Sequence, residues 1–212
     1  MKIKIFNVLW TSFDGGPSPD NNKRTELFLS GCKMAREGNP CPGCFNPELW
    51  DDNNFVAEID PVEAAAHIEK HAPNKYITIV GGEPLDQKEA LAVLVKELKD
   101  RGFNIILITH YLYEELKDLS DDEYIRSILE MTDIIIDGKY DENKRIYDDT
   151  LKDGIHNVIG SANQRVWILE EPGIHRGFSA GEISSFKILD KDGLTLEVES
   201  EKEGVIYGNK EI

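Results

Sequence analysis

All three cysteines of this 212-residue chain, Cys32, Cys41 and Cys44, fall within one short stretch, so any thiolate chemistry here involves three sulfurs at one place. Only Pro42 and Gly43 separate the last two, the C-x2-C spacing by which one loop ligates two irons or one zinc. Eight residues, Lys33 to Pro40, separate Cys32 from Cys41. That gap is too long for one turn, but Gly38 and Pro40 supply bends that close it as a loop. Tetrahedral zinc wants a fourth protein ligand, and an iron-sulfur cubane ordinarily wants a fourth cysteine. Neither stands nearby, because the closest histidines, His67 and His71, fall in an amphipathic helical pattern. A cubane with one iron left open to a substrate satisfies this ligand count. Structural zinc and unremarkable thiols remain open beside it. The odd cysteine count, the charged residues early in the chain and the lack of an apolar segment behind Met1 argue against a disulfide framework. The expected compartment is therefore reducing and cytoplasmic.

Strands and helices must hold these sulfurs in place. Lys2–Val8 alternates, and Thr25–Leu29 runs apolar into the cysteine loop, with a turn-rich Asp14–Asn22 stretch between them. Asp60 caps a helix whose first turn carries Pro61, with Val62, Ala65, Ala66 and Glu69 following. Tyr76–Val80 is a short apolar strand ending at Gly81-Gly82, and residues 86–100 place Ala90, Leu91, Leu94, Val95 and Leu98 at helical spacing. Asn104–Ile108 and Ile134–Ile136 are continuous apolar runs, as expected of strands covered on both faces, with two short helices between them. Val166–Leu169 reads as a further strand.

This alternation predicts an α/β fold, an open partial (β/α) barrel with a mostly parallel sheet, because the chain holds too few repeats for eight strand-helix units. The residues able to do chemistry then gather at the carboxyl ends of the strands. Cys32 follows Thr25–Leu29, Glu83 follows Tyr76–Val80, His110 follows the 104–109 run and Asp137 follows Ile134–Ile136. After Leu169 the texture changes. Glu170-Glu171-Pro172-Gly173 breaks the pattern, and strand signals follow at Ile183–Leu189, Leu194–Val198 and Val205–Tyr207, with Asp192-Gly193 as a hairpin turn. The reading is a catalytic domain over 1–169 and a small β-rich appendage over 170–212.

Forty acidic against 24 basic residues give a formal charge of -16, which disfavours a nucleic-acid backbone as partner. No apolar run reaches the length a membrane span requires. The excess acid is solvated surface that biases docking toward a basic patch.

Several motifs in this order carry a resemblance. They are Arg24–Ser30 leading into Gly31-Cys32, the CPGCFNPELW ending of the cysteine loop, Gly81-Gly82-Glu83-Pro84, Thr109-His110-Tyr111, Ile136-Asp137-Gly138 and Gly160-Ser161-Ala162-Asn163-Gln164-Arg165. Together they resemble the radical S-adenosylmethionine enzymes, and are similar to the activating proteins of anaerobic ribonucleoside-triphosphate reductase. The family loop has three residues between its first two cysteines, where eight stand here.

The resemblance implies a [4Fe-4S] cluster on Cys32, Cys41 and Cys44, with S-adenosyl-L-methionine on the open iron. Reductive cleavage would give a 5'-deoxyadenosyl radical that takes hydrogen from a glycine of an anaerobic ribonucleotide reductase. Gly81 and Gly82 let backbone approach the methionine end, which Glu83 helps to orient. Phe45 packs on adenine or shields the cluster, Asp137 is a candidate for the ribose hydroxyls or amine, and His110 with Tyr111 lines the cavity. Arg24 is a candidate to fix a carboxylate or the partner, or to form a surface salt bridge, and Asn163, Gln164 and Arg165 either contact cofactor or partner or form a structural network closing the sheet edge. Trp50 is assigned to core packing. The electron donor implied is a flavodoxin or ferredoxin. Alternatives are a small-molecule enzyme of the carboxy-deazaguanine synthase type, an activase of another glycyl-radical enzyme, and a zinc or electron-transfer binding module.

Overall fold

A computed structural model describes residues 1–20, 23–146, 158–180, 183–188, 196–200 and 205–207. Strand β1 (Ile3–Ser12) alternates buried and accessible residues, as an antiparallel strand with one solvated face does. It pairs antiparallel with β2 (Arg24–Leu29), which leads into the short helix α1 (Lys33–Arg36), and with β3 (Ala57–Ile59) on its other side. Helix α2 (Pro61–His71) begins where the Asp60 side chain accepts from Val62 N–H at 2.9 Å, with Pro61 in the first turn. Then follow β4 (Tyr76–Gly81), α3 (Lys88–Asp100), β5 (Asn104–Ile108), α4 (Tyr113–Asp118), α5 (Glu123–Met131) and β6 (Ile134–Asp137). The chain continues with β7 (Arg165–Glu171), β8 (Ile174–Ser179), β9 (Ile183–Ile188), β10 (Leu196–Ser200) and β11 (Val205–Tyr207).

Nine of these strands form one sheet in the order β11-β8-β7-β6-β5-β4-β2-β1-β3. Parallel pairing is confined to β2–β4, β4–β5 and β5–β6, where helices make the crossovers. The pairs β1–β2, β1–β3, β6–β7, β7–β8 and β8–β11 are antiparallel. This corrects the expectation of a mostly parallel sheet. The architecture is an open mixed sheet ending in β3 and β11 among the described residues, and its pairing does not make it a partial barrel. One cause is the turn at Gly173 (φ 77°), a short link that can only return β8 antiparallel to β7. The Glu170–Gly173 breaker is this turn, so β8 extends the main sheet, whereas β9 and β10 pair with each other separately. The expected Asp192-Gly193 hairpin lies outside the described residues.

Two apolar layers explain the continuous runs of β5 and β6. Ile77, Ile79, Ile105, Leu107 and Ile135 share one core with Ala64 and Ile68 of α2, Leu91 and Leu94 of α3 and Ile128 of α5. Ile106, Ile134, Ile136, Val166 and Ile168 face a second core with Val158, Ile159, Ala180 and Ile183. Covering both faces removes the need for polar alternation. Among the described residues no helix is long and apolar enough to cross a membrane.

Arg24 is an interior structural residue, fully buried at the start of β2. Its guanidinium donates to Thr78 Oγ1 at 3.0 Å, Pro17 O at 2.8 Å, Ile77 O at 2.7 Å and Asn104 O and Oδ1 at 3.0 Å. Burial draws its pKa down to about 9. It therefore touches neither a carboxylate nor the molecular surface, and its contacts are structural. Arg24→Met should keep most of the aliphatic volume yet leave these acceptors unsatisfied, lowering stability by about 3 kcal/mol in urea denaturation. A loss under about 1 kcal/mol would mean that the network is dispensable.

Candidate functional site

The cysteine loop spans from the end of β2 to the turn at Pro47–Leu49. Cys32 is 5% exposed at the N-cap of α1, where its side chain makes no capping hydrogen bond. Cys41 meets the Tyr140 backbone N–H. The indole Nε1–H of Trp50 donates to Cys44 Sγ at 3.4 Å. Burial pushes the Cys32 thiol up to about 11, against the pull of the Ala35 N–H and with the help of Glu83 and Asp86; burial likewise raises Cys41. Thiols of this kind give up their protons when a metal takes them as ligands. Among the described residues no three His, Cys, Asp or Glu side chains converge as ligands of one ion would. A cubane differs in taking each thiolate on a separate iron.

Beside Cys32, β4 ends in two glycines that nothing larger can replace. Gly81 has φ 144°, and a Cβ there would overlap the backbone of Leu29; one on Gly82 would overlap the Gly31 carbonyl. Gly82 N–H donates to Leu29 O at 2.9 Å and Glu83 N–H to Gly31 O at 2.7 Å. The glycines thus admit the cysteine loop itself to close backbone contact. Glu83 is 1% exposed, and its carboxylate accepts from Leu85 N, Thr109 Oγ1 and His110 N at 2.9–3.0 Å. Burial still pushes its pKa up to about 7. His110 is held neutral, its pKa drawn down to about 4 by burial and by Lys139, so its 3.4 Å contact with Glu83 is not an ion pair.

The remaining candidates divide between the site and its scaffold. Phe45 is 51% exposed and lies between the Tyr140 ring, 4.4 Å away, and the Arg145 guanidinium, 4.8 Å away. Tyr111 packs on His110 at 4.3 Å. Asp137 is fully buried and accepts from Tyr113 N at 2.6 Å and from Arg165 Nε at 3.0 Å. Arg165 also forks onto Glu114 at 2.7 and 2.8 Å, and although burial opposes it, its pairing with Glu114 and Asp137 raises its pKa. Asp137 and Arg165 therefore satisfy each other. Asn163 donates to Lys139 O at 2.8 Å, and Gln164 bonds Gly138 O, Gly160 N and Ser161 N. The trio thus closes loops within the chain. Sequence reasoning missed Trp50 as a thiolate donor and the 139–146 segment as a neighbour of the cysteine loop. The available signal for Trp50 was an indole N–H in the same loop as the sulfurs, which needs an acceptor when half-buried.

Because the Glu83 carboxyl is raised from 4.5 to about 7 on folding, its contribution to stability is fully present below about 4.5 and is lost as pH climbs through about 7. Relative to wild type, Glu83→Gln should flatten the fall of thermal midpoint across that window, an effect on the order of 3 kcal/mol. Scanning fluorimetry of the metal-free protein at stepped pH measures it. Parallel wild-type and variant profiles would show that Glu83 does not titrate there.

The sequence profile of the 4Fe-4S single cluster domain matches residues 21–167. An anaerobic ribonucleoside-triphosphate reductase-activating protein of Enterobacteria phage T4 is 30% identical over 154 residues, covering 68% of this chain and 83% of the relative. A protein of the same name from Pasteurella multocida (strain Pm70) is 30% identical over 132 residues, 57% of this chain and 76% of the relative. A pyruvate formate-lyase-activating enzyme of Staphylococcus epidermidis (strain ATCC 12228 / FDA PCI 1200) is 33% identical over 88 residues, 39% of this chain and 33% of the relative. The donor set fits a [4Fe-4S] cluster, with three thiols in one loop, an indole N–H on the third, and no fourth cysteine in the chain. The chain belongs to the 4Fe-4S single cluster family as a radical S-adenosylmethionine activating enzyme, working with a [4Fe-4S] cluster and S-adenosyl-L-methionine.

Proposed function

We propose that this chain activates an anaerobic ribonucleoside-triphosphate reductase by removing a hydrogen atom from one of its glycines. Cys32, Cys41 and Cys44 would hold the cluster through three irons, leaving the fourth for the amino and carboxylate groups of S-adenosyl-L-methionine. When bound, cluster and cofactor together supply one-electron reductive cleavage of the sulfonium and so a 5'-deoxyadenosyl radical. The observation that carries the reading is the placing of all three thiols in one loop whose start is packed against the glycine end of β4. No other cysteine exists for a second cluster, so the electron comes from a separate donor of the flavodoxin or ferredoxin class. Within the chain, Gly81 and Gly82 let the start of the cysteine loop pack against the end of β4. Glu83 holds the Thr109–His110 turn, which lines the same edge.

Activation of a different glycyl-radical enzyme is the second reading. It is favoured by the match to the pyruvate formate-lyase-activating enzyme and by the eight residues between Cys32 and Cys41. Anaerobic incubation of reconstituted protein, S-adenosyl-L-methionine and reductant with the cognate reductase should yield a glycyl doublet in the electron paramagnetic resonance spectrum. Cleavage of S-adenosyl-L-methionine without a radical on that reductase would transfer the assignment to another partner. Cys32→Ala should abolish 5'-deoxyadenosine formation; near-normal yield would remove Cys32 from the ligand set.

Trp50 supplies a separate measurement. A donor to a thiolate stabilises the more negative, reduced cluster, so Trp50→Phe should move its midpoint potential downward in a spectroscopic redox titration. An unchanged potential would mean that the indole only packs.

A further inference from the structure

The two halves of the cysteine loop rest on different parts of the fold. Cys32 is held at the sheet edge, where its N–H donates to Trp50 O at 3.1 Å and that of Gly31 to Leu49 O at 2.8 Å. The following residue, Lys33, donates its N–H to Asp86 at 2.5 Å, and Arg36 of α1 pairs with Asp52. Cys41 and Cys44 lie instead against the segment after β6. Tyr140 N–H faces the Cys41 thiol, Glu142 N–H donates to Pro42 O at 3.2 Å, and Phe45 is sandwiched between Tyr140 and Arg145. Gly43 has φ 68°, and a Cβ there would run into the Glu142 carboxylate.

That segment is itself tied down along its length by the Gly160–Gln164 stretch. Gln164 Nε2 donates to Gly138 O at 3.1 Å and Asn163 Nδ2 to Lys139 O at 2.8 Å. Asp141 N–H donates to Ser161 Oγ at 3.2 Å and Ala162 N–H to Lys144 O at 2.8 Å. Arg145 forms a β-bridge with Ser161. Gln164 is 5% exposed and its Oε1 also accepts from Gly160 and Ser161, which fixes the far side. Between the two supports, a Cβ on Gly38 would meet nothing within 4 Å, so the tip of the eight-residue link is in open space.

We propose that residues 138–146 are a clamp, set by Ser161 and Gln164 and anchored on Phe45, that positions the Cys41–Phe45 turn, with Trp50 as the link between that turn and the Cys32 side. The inference rests on the reading that these three thiols serve one cluster. It gives the Gly160–Arg165 motif a positioning role, and it explains how a longer link between the first two cysteines is accommodated. The length of that link is not what sets the relative placement of the sulfurs. Trp50 is the tie across the gap, accepting from Cys32 N–H and donating to Cys44 Sγ.

The test uses the metal-free protein under anaerobic conditions, with iodoacetamide alkylation of each cysteine followed separately by peptide mass spectrometry. In Phe45→Ala and Gln164→Ala, Cys41 and Cys44 should alkylate severalfold faster while Cys32 keeps its wild-type rate. Phe45→Tyr should restore the wild-type pattern, and removing Glu37 and Gly38 should leave all three rates unchanged. Equal acceleration of all three thiols would show general loosening and overturn the clamp, as would unchanged rates at Cys41 and Cys44 in Phe45→Ala. Iron content of the reconstituted wild type is read separately, so a failure of the cluster reading is distinguishable from a failure of the clamp.

Discussion

Two backbone hydrogen bonds, from Gly82 N–H to the Leu29 carbonyl and from Glu83 N–H to the Gly31 carbonyl, bring the end of β4 against the beginning of the cysteine loop. The rest of the site depends on that approach. It is possible only because neither Gly81 nor Gly82 carries a side chain, so the constraint is steric before it is chemical. Once the approach is made, Glu83 is carried into the interior, where a carboxylate must find donors. It finds them in Thr109 and His110 at the end of β5 and in Leu85 at its own turn. A single close contact between two strand ends thereby sets the relative positions of three loops. The same logic continues one strand further, where Asp137 at the end of β6 holds Tyr113 N–H and Arg165.

How much of this could be read from sequence depends on whether the signal is local. The runs Ile105–Ile108 and Ile134–Ile136 announced central strands because two cores cover them, and Asp60-Pro61 announced α2 because a cap is a local arrangement. Strand direction is not local. The apolar pattern of Val166–Leu169 is the same whether β7 runs with β6 or against it, so the antiparallel half of the sheet was invisible. The three cysteines were legible as a group because their spacing is itself the information. Arg24, Asp137 and Arg165 were not, since residue type and position at a strand end name a polar group without naming its partner. In the fold Arg24 is consumed by carbonyls and Asp137 by Arg165.

Trp50 and Tyr140 illustrate a second limit. Tyr140 acts on Cys41 through its backbone N–H, a group that every residue except proline carries, so no side-chain reading could have selected it. Glu142 likewise reaches the loop through its amide. What selects these positions is the path of the chain after Gly138, which has φ 96° and turns the segment across the cysteine loop.

The electrostatic setting of the thiols follows from the same arrangement. In a chain of formal charge -16, Cys32 has Glu83 and Asp86 as neighbours, and burial and these charges together keep its proton in the metal-free protein. Surface basic residues would offset that only weakly, because screened charges fall away over a Debye length. Fixed N–H dipoles act at contact distance, need no counter-charge and do not change with pH. Such donors come from different places, the segment after β6 at Tyr140 and the indole of Trp50. A site that collects its donors from separate elements assembles only when all of them are folded. Cys32 and Cys41 therefore hold their protons until a metal takes them as ligands.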